Sequence, residues 1–138
     1  MEEITIASYI NRRPVTFHRT ETVAHAVEKL MRANQIGGPV LDEQKQVIGW
    51  ISEQDCLKKM IESSYHCESA ALVEDMMRTD VLSLPLNASI LDVGQQMLLP
   101  KPKAYPVVDE GRLVGVIARH DVIKAVYQHL KSCYVKTA

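Results

Sequence analysis

The sequence contains little of what several common functions require. It has three cysteines, Cys56, Cys67 and Cys133, which is an odd number at wide spacing. That pattern gives poor support to a disulfide framework and fits no zinc-binding spacing, so we expect reduced thiols. There is also no nucleophile and base at a recognisable spacing, and no glycine-rich phosphate loop that ends in Lys-Ser or Lys-Thr. These absences predict a protein that is not an enzyme.

Net charge is also nearly absent, because 16 basic and 17 acidic residues leave a formal charge of -1. No bulk field then attracts the protein to phosphate backbones or anionic lipid, which makes nucleic acid a poor candidate for a partner. No apolar run approaches the roughly 20 residues of a membrane span, and the N-terminus is acidic where a secretory signal would be basic. We expect a cytoplasmic protein without a membrane span.

What is present is the composition of an ordinary folded domain. The chain has 138 residues, of which 46% are hydrophobic and 24% are charged. This length fits one compact domain that buries its apolar surface without disulfides or metals. We therefore expect residues 1–138 to form a single module.

The chain repeats itself, which is the strongest signal in the sequence. A shift of 67 positions places residues 39–43 (PVLDE) over residues 106–110 (PVVDE). The second turn is one residue shorter, so a shift of 66 then places residues 47–51 (VIGWI) over residues 113–117 (LVGVI). The domain is therefore interpreted as an internal duplication, with copies at residues 6–62 and 73–130 and a hinge near residues 63–71.

Each copy has the same predicted secondary structure. Apolar residues recur at helical spacing behind an N-cap candidate, Thr22 in the first copy and Ser89 in the second. Two β-branched runs joined by a polar turn follow, and then a further helix. The order is strand, helix, strand, strand, helix, performed twice. This predicts a mixed α/β (α+β) fold, and we expect the two sheets to pack face to face.

The paired motifs resemble tandem CBS motifs, the regulatory modules named after cystathionine beta-synthase, over essentially the full length. The resemblance rests on the Pro-Val-x-Asp strand and turn, and on GWISEQD at residues 49–55 and GVIARHD at residues 115–121. It implies two βαββα motifs packed through their sheets as one CBS pair, in a stand-alone CBS-domain protein.

The resemblance also implies ligands and a site. Adenosine ligands (AMP, ADP, ATP or S-adenosylmethionine) would lie in clefts between the motifs, with Asp55 and Asp121 accepting hydrogen bonds from the ribose hydroxyls. A carboxylate can accept from both hydroxyls of a cis-diol, and Ser52 lies one helical turn before Asp55. The alternative is that Ser52 and Asp55 only form a capping box that starts the helix.

The loop before each Pro-Val strand is the second part of the implied site. In the first copy Gly37, Gly38 and Pro39 offer backbone that a flat base can approach closely. The second copy has Ala104, Tyr105 and Pro106 at these positions, and before them Lys103 replaces Ile36, at a place where a basic residue in some relatives faces phosphate. Tyr105 either stacks on adenine or packs beside the strand.

The start of the second copy's last helix departs from the family pattern, since Ala118 replaces the hydroxyl residue. Arg119 and His120 follow it, and they either favour a more anionic ligand or are solvated surface residues. With Lys101 and Lys103 they give the second copy three fixed positive charges where the first copy has none. This contrast predicts that the second site prefers phosphate.

Two functions fit this pattern. The first is a regulatory module that senses an adenosine nucleotide or adenosyl ligand and signals to an effector protein encoded elsewhere. The alternative is a structural dimerisation or protein-interaction module with empty clefts. In either case we expect a homodimer through the outer helix faces, which carry Met60, Ile61, Val126 and Leu130.

Overall fold

The first copy folds as a three-stranded sheet with helices. The structure, a computed structural model, describes residues 4–66 and 71–137, so that Cys67 and part of the predicted hinge lie outside the described residues. In chain order the elements are β1 (Phe17–His18), α1 (Val23–Ala33), β2 (Gly37–Leu41), β3 (Val47–Ser52) and α2 (Glu53–His66). The strand order is β1-β2-β3, with β1 parallel and β3 antiparallel to β2.

The second copy repeats this order with a shorter first strand. Its elements are α3 (Val73–Met76), α4 (Ile90–Met97), β4 (Ala104–Asp109), β5 (Arg112–Ala118) and α5 (Arg119–Thr137). The predicted first strand is reduced to a parallel bridge between Leu84 and Val107. The Leu84 amide donates to the Pro106 carbonyl oxygen and the Leu84 carbonyl accepts from the Val108 amide, both at 3.0 Å, and the pairing with β4 does not continue beyond Leu84. The predicted mixed α/β class with two repeats is otherwise confirmed.

The described chain divides into two units that do not coincide with the two copies. The first-copy unit comprises Arg13–Leu82 and Glu110–Leu113. The second-copy unit comprises the chain up to Arg12, Ser83–Asp109 and the chain from Val114 onward. A 3-10 helix at Ile6–Ser8, which begins the first copy, thus belongs to the second-copy unit, and α3, which begins the second copy, belongs to the first-copy unit.

Every core residue of the first-copy unit has a counterpart in the core of the second-copy unit. The core of the first-copy unit consists of Phe17, Val23, Ala26, Leu30, Val40, Ile51, Cys56 and Val73. Under the repeat shift these residues correspond to Leu84, Ile90, Val93, Met97, Val107, Ile117, Val122 and Ile6, all of which lie in the core of the second-copy unit. The duplication therefore reproduces the buried surface that stabilises each unit.

Capping residues set the helix starts where the sequence predicts them. The Thr22 side chain accepts a hydrogen bond from the His25 amide at 3.1 Å, and the Ser89 side chain accepts one from the Asp92 amide at 3.5 Å. Each bond satisfies an amide that has no partner within the helix. Within the described ranges, no helix combines the length and apolar character that a membrane crossing requires.

Each unit is completed by backbone pairing between the last strand of one copy and the first segment of the other copy. Asn11 exchanges two hydrogen bonds with Val116, at 2.8 and 2.9 Å, and Arg78 exchanges two with Trp50, both at 2.9 Å. A glycine precedes the strand residue in both pairings. A Cβ on Gly115 would lie 2.7 Å from the Asn11 carbonyl oxygen, and one on Gly49 would lie 2.9 Å from that of Arg78. The glycine of the repeated motif is thus required for the segments to approach.

Replacing Gly115 by Ala is expected to destabilise the protein by about 1–3 kcal/mol, because the new methyl group must displace backbone rather than a flexible side chain. Urea unfolding followed by circular dichroism measures the loss. Arg112→Ala, at the exposed start of the same strand, is the control and should change stability by less than about 0.5 kcal/mol. Equal stability of Gly115→Ala and the wild type would contradict this account of the glycine.

Candidate functional site

The first candidate site lies where β3 passes into α2. The Ser52 hydroxyl accepts a hydrogen bond from the Asp55 amide at 3.1 Å and donates one to Asp55 Oδ2 at 2.8 Å. Ser52 is therefore the N-cap of α2, and it also fixes the rotamer of the Asp55 carboxylate. Both side chains are half-buried. The capping interpretation of this pair is what the structure contains, and a ligand contact at Asp55 stays a prediction.

Arg78 is the residue at this site that the sequence did not reveal. Its Nε donates to Asp55 Oδ2 at 3.2 Å and its Nη2 donates to Asp55 Oδ1 at 3.3 Å, which is a two-pronged ion pair. The backbone pairing of Arg78 with Trp50 places the guanidinium there, 23 positions along the chain from Asp55. A pairing over that distance has no local sequence signal.

The electrostatics at Asp55 favour the ionised carboxylate. Partial burial raises the pKa of Asp55, but hydrogen bonds from Arg78 and Ser52 and the charge of Arg78 outweigh burial, so the pKa lies below its ordinary value. The hydrogen bond and charge of Asp55 in turn raise the pKa of Arg78. The site therefore holds one fixed negative and one fixed positive charge at neutral pH.

Gly37, Gly38 and Pro39 are buried at the start of β2. A Cβ on Gly37 would lie 2.7 Å from the Trp50 indole nitrogen, and one on Gly38 would lie 2.5 Å from the Val15 carbonyl oxygen. The close approach predicted for a flat base is thus made here by protein atoms. Packing of the sheet accounts for both glycines, and a ligand contact at this loop stays a prediction.

The second candidate site lies where β5 passes into α5. The Ala118 amide donates to Asp121 Oδ2 at 2.8 Å, so Asp121 caps the helix start without the hydroxyl that Ser52 supplies in the first copy. Arg119 and His120 occupy the first turn and are exposed, as the surface interpretation of the sequence predicts. The Arg119 amide donates to the Lys103 carbonyl oxygen at 2.9 Å and ties α5 to the loop before β4.

Lys103 does not present a free cation to this site in the structure. Its Nζ donates to the carbonyl oxygen of Leu99 at 2.6 Å and to that of Met97, and these carbonyls lie at the C-terminal end of α4. A lysine at this position stabilises the negative end of the helix dipole. The predicted phosphate role of Lys103 therefore needs this contact to be broken first.

Tyr105 is also not placed as stacking on adenine would require. Its side chain is 1% exposed and belongs to the core of the second-copy unit, and the neighbouring Ala104 and Pro106 are buried as well. Burial raises the pKa of the Tyr105 phenol. Its hydroxyl is the one buried side-chain polar atom in the described part of the chain without a hydrogen-bond partner. Packing accounts for this ring, and its faces are not open to adenine.

No metal cluster is found among the described residues, and the buried Cys56 thiol is not an activated one. No group of three or more potential ligand residues there could hold a metal ion. Cys56 is buried, and desolvation, together with the charges of Asp55 and Glu53, raises the pKa of its thiol to about 11. A thiol with so high a pKa is a poor nucleophile at neutral pH.

Comparison with known families decides what these two sites belong to. The family model of the CBS domain matches the chain twice, over residues 6–62 and 73–128. The chain belongs to the CBS domain family. The predicted family is therefore confirmed, including its occurrence as a pair of motifs.

Three similar proteins illustrate the likeness. Protein MJ0188 of Methanocaldococcus jannaschii is 30% identical over 88% of this chain and 44% of its own length. The crystal structure of CBSX2, a CBS-pair protein of Arabidopsis thaliana, matches with a TM-score of 0.80 at 25% identity over 94% of this chain and 98% of that chain. The CBS domain pair of protein MJ0100, solved with 5'-methylthioadenosine and S-adenosyl-L-methionine, matches with a TM-score of 0.80 at 20% identity over 92% and 98%.

CBSX2 has also been solved in complex with AMP, and that structure matches with a TM-score of 0.77 at 24% identity over 90% of this chain and 96% of that chain. At 20–24% identity the two ligand-bound structures establish the CBS fold, while their ligands belong to those proteins. This chain spans 38%, 31% and 44% of the lengths of the first three curated relatives. The activities of those longer proteins are thus not carried over.

Replacing Arg78 by Gln should make the free energy of unfolding of this CBS pair less dependent on pH in the acidic range. The pKa of Asp55 is lowered in the folded state, so the ion pair contributes stability above the ordinary carboxyl pKa and loses it as pH falls through the lowered pKa. Because the Arg78 side chain is 57% exposed, we expect a loss of only about 0.2–1 kcal/mol at neutral pH.

Urea unfolding of both proteins from about pH 7 to about pH 3 measures this difference, which should shrink as Asp55 becomes protonated. Arg19→Gln removes an exposed arginine that lies 4.0 Å from Glu74 in the same unit, and it controls for loss of surface charge. A difference between wild type and Arg78→Gln that is the same at both ends of the pH range would contradict the assignment to Asp55.

Proposed function

We propose that this CBS pair is a regulatory module, not an enzyme, that binds an adenosine nucleotide or a related adenosyl ligand and passes its occupancy to an effector protein. AMP, ADP, ATP and S-adenosylmethionine are the candidate ligands, and the cytoplasm is the expected compartment. The observation that carries the proposal is a half-buried carboxylate at the third position of a helix that follows the last strand of each copy, Asp55 in α2 and Asp121 in α5.

The chemistry of each helix start suits such a ligand. An ionised carboxylate accepts hydrogen bonds from both hydroxyls of a ribose, and the amides of the first helical turn have no partner within the helix and suit a phosphate. The CBS relatives solved with AMP, 5'-methylthioadenosine and S-adenosyl-L-methionine support the same class of ligand.

The decisive experiment removes the two carboxylates. Asp55→Ala should weaken binding at the first site and Asp121→Ala at the second, because loss of a hydrogen bond to a charged group costs about 1.5–3 kcal/mol, or roughly ten-fold or more in affinity. Isothermal titration calorimetry with AMP, ADP, ATP, NAD and S-adenosylmethionine measures the change, with circular dichroism to verify folding.

Asp92→Ala is the matched control for these variants. Asp92 is also the third residue of a helix, α4, and follows the Ser89 cap, but it lies at neither candidate site. It should leave every affinity unchanged. Unaltered binding in Asp55→Ala, Asp121→Ala and the double variant would leave both aspartates as helix caps only.

A structural dimerisation module with empty clefts is the second candidate function, and an apolar groove favours it. The groove, of about 530 Å³, runs between α4 and α5, and Leu98, Ile123 and Tyr127 line it. Their side chains are 85%, 60% and 62% exposed, which is unusual for residues of this size in a monomer. Val126 and Leu130 also line the groove, and Met60 and Ile61 are exposed on α2. Met60, Ile61, Val126 and Leu130 are the residues that the sequence predicts at a homodimer interface.

A charge in this groove should therefore abolish the homodimer. Ile123→Glu is expected to sediment as a monomer at tens of micromolar, an order of concentration suited to modest interfaces, while the wild type sediments as a dimer. Lys124→Glu, the next residue of α5, does not line the groove and should remain dimeric. A wild-type monomer at that concentration would contradict the proposed homodimer. Stable dimers with no ligand in the calorimetric panel would favour the structural function.

A further inference from the structure

The Asp55 carboxylate has almost no hydrogen-bonding capacity left in this structure. An ionised carboxylate has about four lone-pair positions for donors. Three are occupied, by the Ser52 hydroxyl at 2.8 Å and by Nε and Nη2 of Arg78 at 3.2 and 3.3 Å. A ribose cis-diol needs two acceptor positions. A ribose and the full Arg78 fork therefore cannot occupy Asp55 together.

The Arg78 side chain can move away from Asp55 without disturbing the fold. Its backbone is fixed by the two hydrogen bonds to Trp50, which do not involve its side chain. The Arg78 side chain is 57% exposed, whereas that of Asp55 is 18% exposed. The guanidinium, at the end of a long and exposed side chain, is thus the partner that can move away. The less exposed carboxylate is the partner that stays in place.

The second-copy unit lacks this feature. The repeat shift places Asn11 at the position of Arg78, and Asn11 makes the same backbone exchange with Val116. Asparagine carries no positive charge, and none of the ion pairs among the described residues involves Asp121. Among the described residues, competition for the carboxylate by an ion pair is thus found at the first site and not at the second.

We propose that Arg78 is a specificity-determining residue of the first site, a claim that rests on the proposed binding of adenosine ligands there. It competes with the ribose diol for Asp55, so the site disfavours a neutral nucleoside. A nucleoside phosphate overcomes the competition, because its anion accepts the guanidinium that leaves Asp55, and Arg pairs with phosphate in the same two-pronged manner as with carboxylate.

The test compares adenosine with AMP in wild type and Arg78→Gln. The chain has one tryptophan, Trp50, which contacts both Arg78 and the Gly37 position, so its fluorescence reports on the first site specifically. Calorimetry gives the affinities. In Arg78→Gln, adenosine should bind about two- to five-fold more tightly, as expected for release of an exposed ion pair, while AMP should bind more weakly. Arg78→Lys, which keeps the charge without the fork, should lie between the two proteins.

Arg19→Gln is the control, since it removes an exposed, carboxylate-paired arginine of the same unit away from the site. Adenosine affinity that is unchanged or lower in Arg78→Gln, or a gain by the same factor for both ligands, would overturn the role of Arg78 and leave the proposed function standing. Absence of binding of adenosine, AMP and every other ligand of the calorimetric panel to both proteins would instead overturn the proposed function, and this inference with it.

Discussion

Both units depend on one kind of contact, the backbone pairing between the last strand of one copy and the first segment of the other copy. Asn11 with Val116 and Arg78 with Trp50 each exchange two hydrogen bonds, and a glycine beside the strand residue admits the approach. The pairing satisfies backbone groups that would otherwise be left at the edge of a short sheet. It also brings Ile6 and Val73 into the two cores, because each lies one short helix before the paired residue. Packing and sheet completion are therefore coupled in each unit.

This contact also determines the chemistry at the start of each last helix. The pairing fixes the backbone of the residue that pairs with the strand. Its side chain therefore starts from an equivalent position in both units. In the first-copy unit the residue is Arg78, and it reaches Asp55. In the second-copy unit it is Asn11, which has no charge. Two sites that are equivalent by repeat thus differ because of a residue outside the motif that defines them.

The sequence predicts the repeat, the helix caps and the core, because each depends on spacing within about ten residues or on the repeat itself. Thr22 and Ser89 cap where they were expected, and the core residues follow the helical stripes. The sequence does not predict the Arg78 ion pair, because that contact depends on which strand the segment around Arg78 pairs with. Nor does it predict that Lys103 binds the end of α4, because Pro100 and the turn after it decide where the lysine reaches.

These placements change how charge should be compared between the two sites. Counted along the sequence, the second copy is richer in cations, with Lys101, Lys103 and Arg119 near its site and none at the matching positions of the first copy. If only cations that contact the aspartate of each site are compared, the first site is the richer one. Lys103 is held by helix carbonyls, Arg119 is exposed, and Asp121 accepts its hydrogen bond from a neutral amide, while Asp55 has a guanidinium within 3.3 Å. Because electrostatic interactions weaken with distance and exposure, the cation paired with Asp55 acts more strongly on its carboxylate than Lys101, Lys103 and Arg119 act on Asp121. The preference for phosphate should therefore be decided by the residue that pairs with the carboxylate, and not by the number of basic residues in the motif.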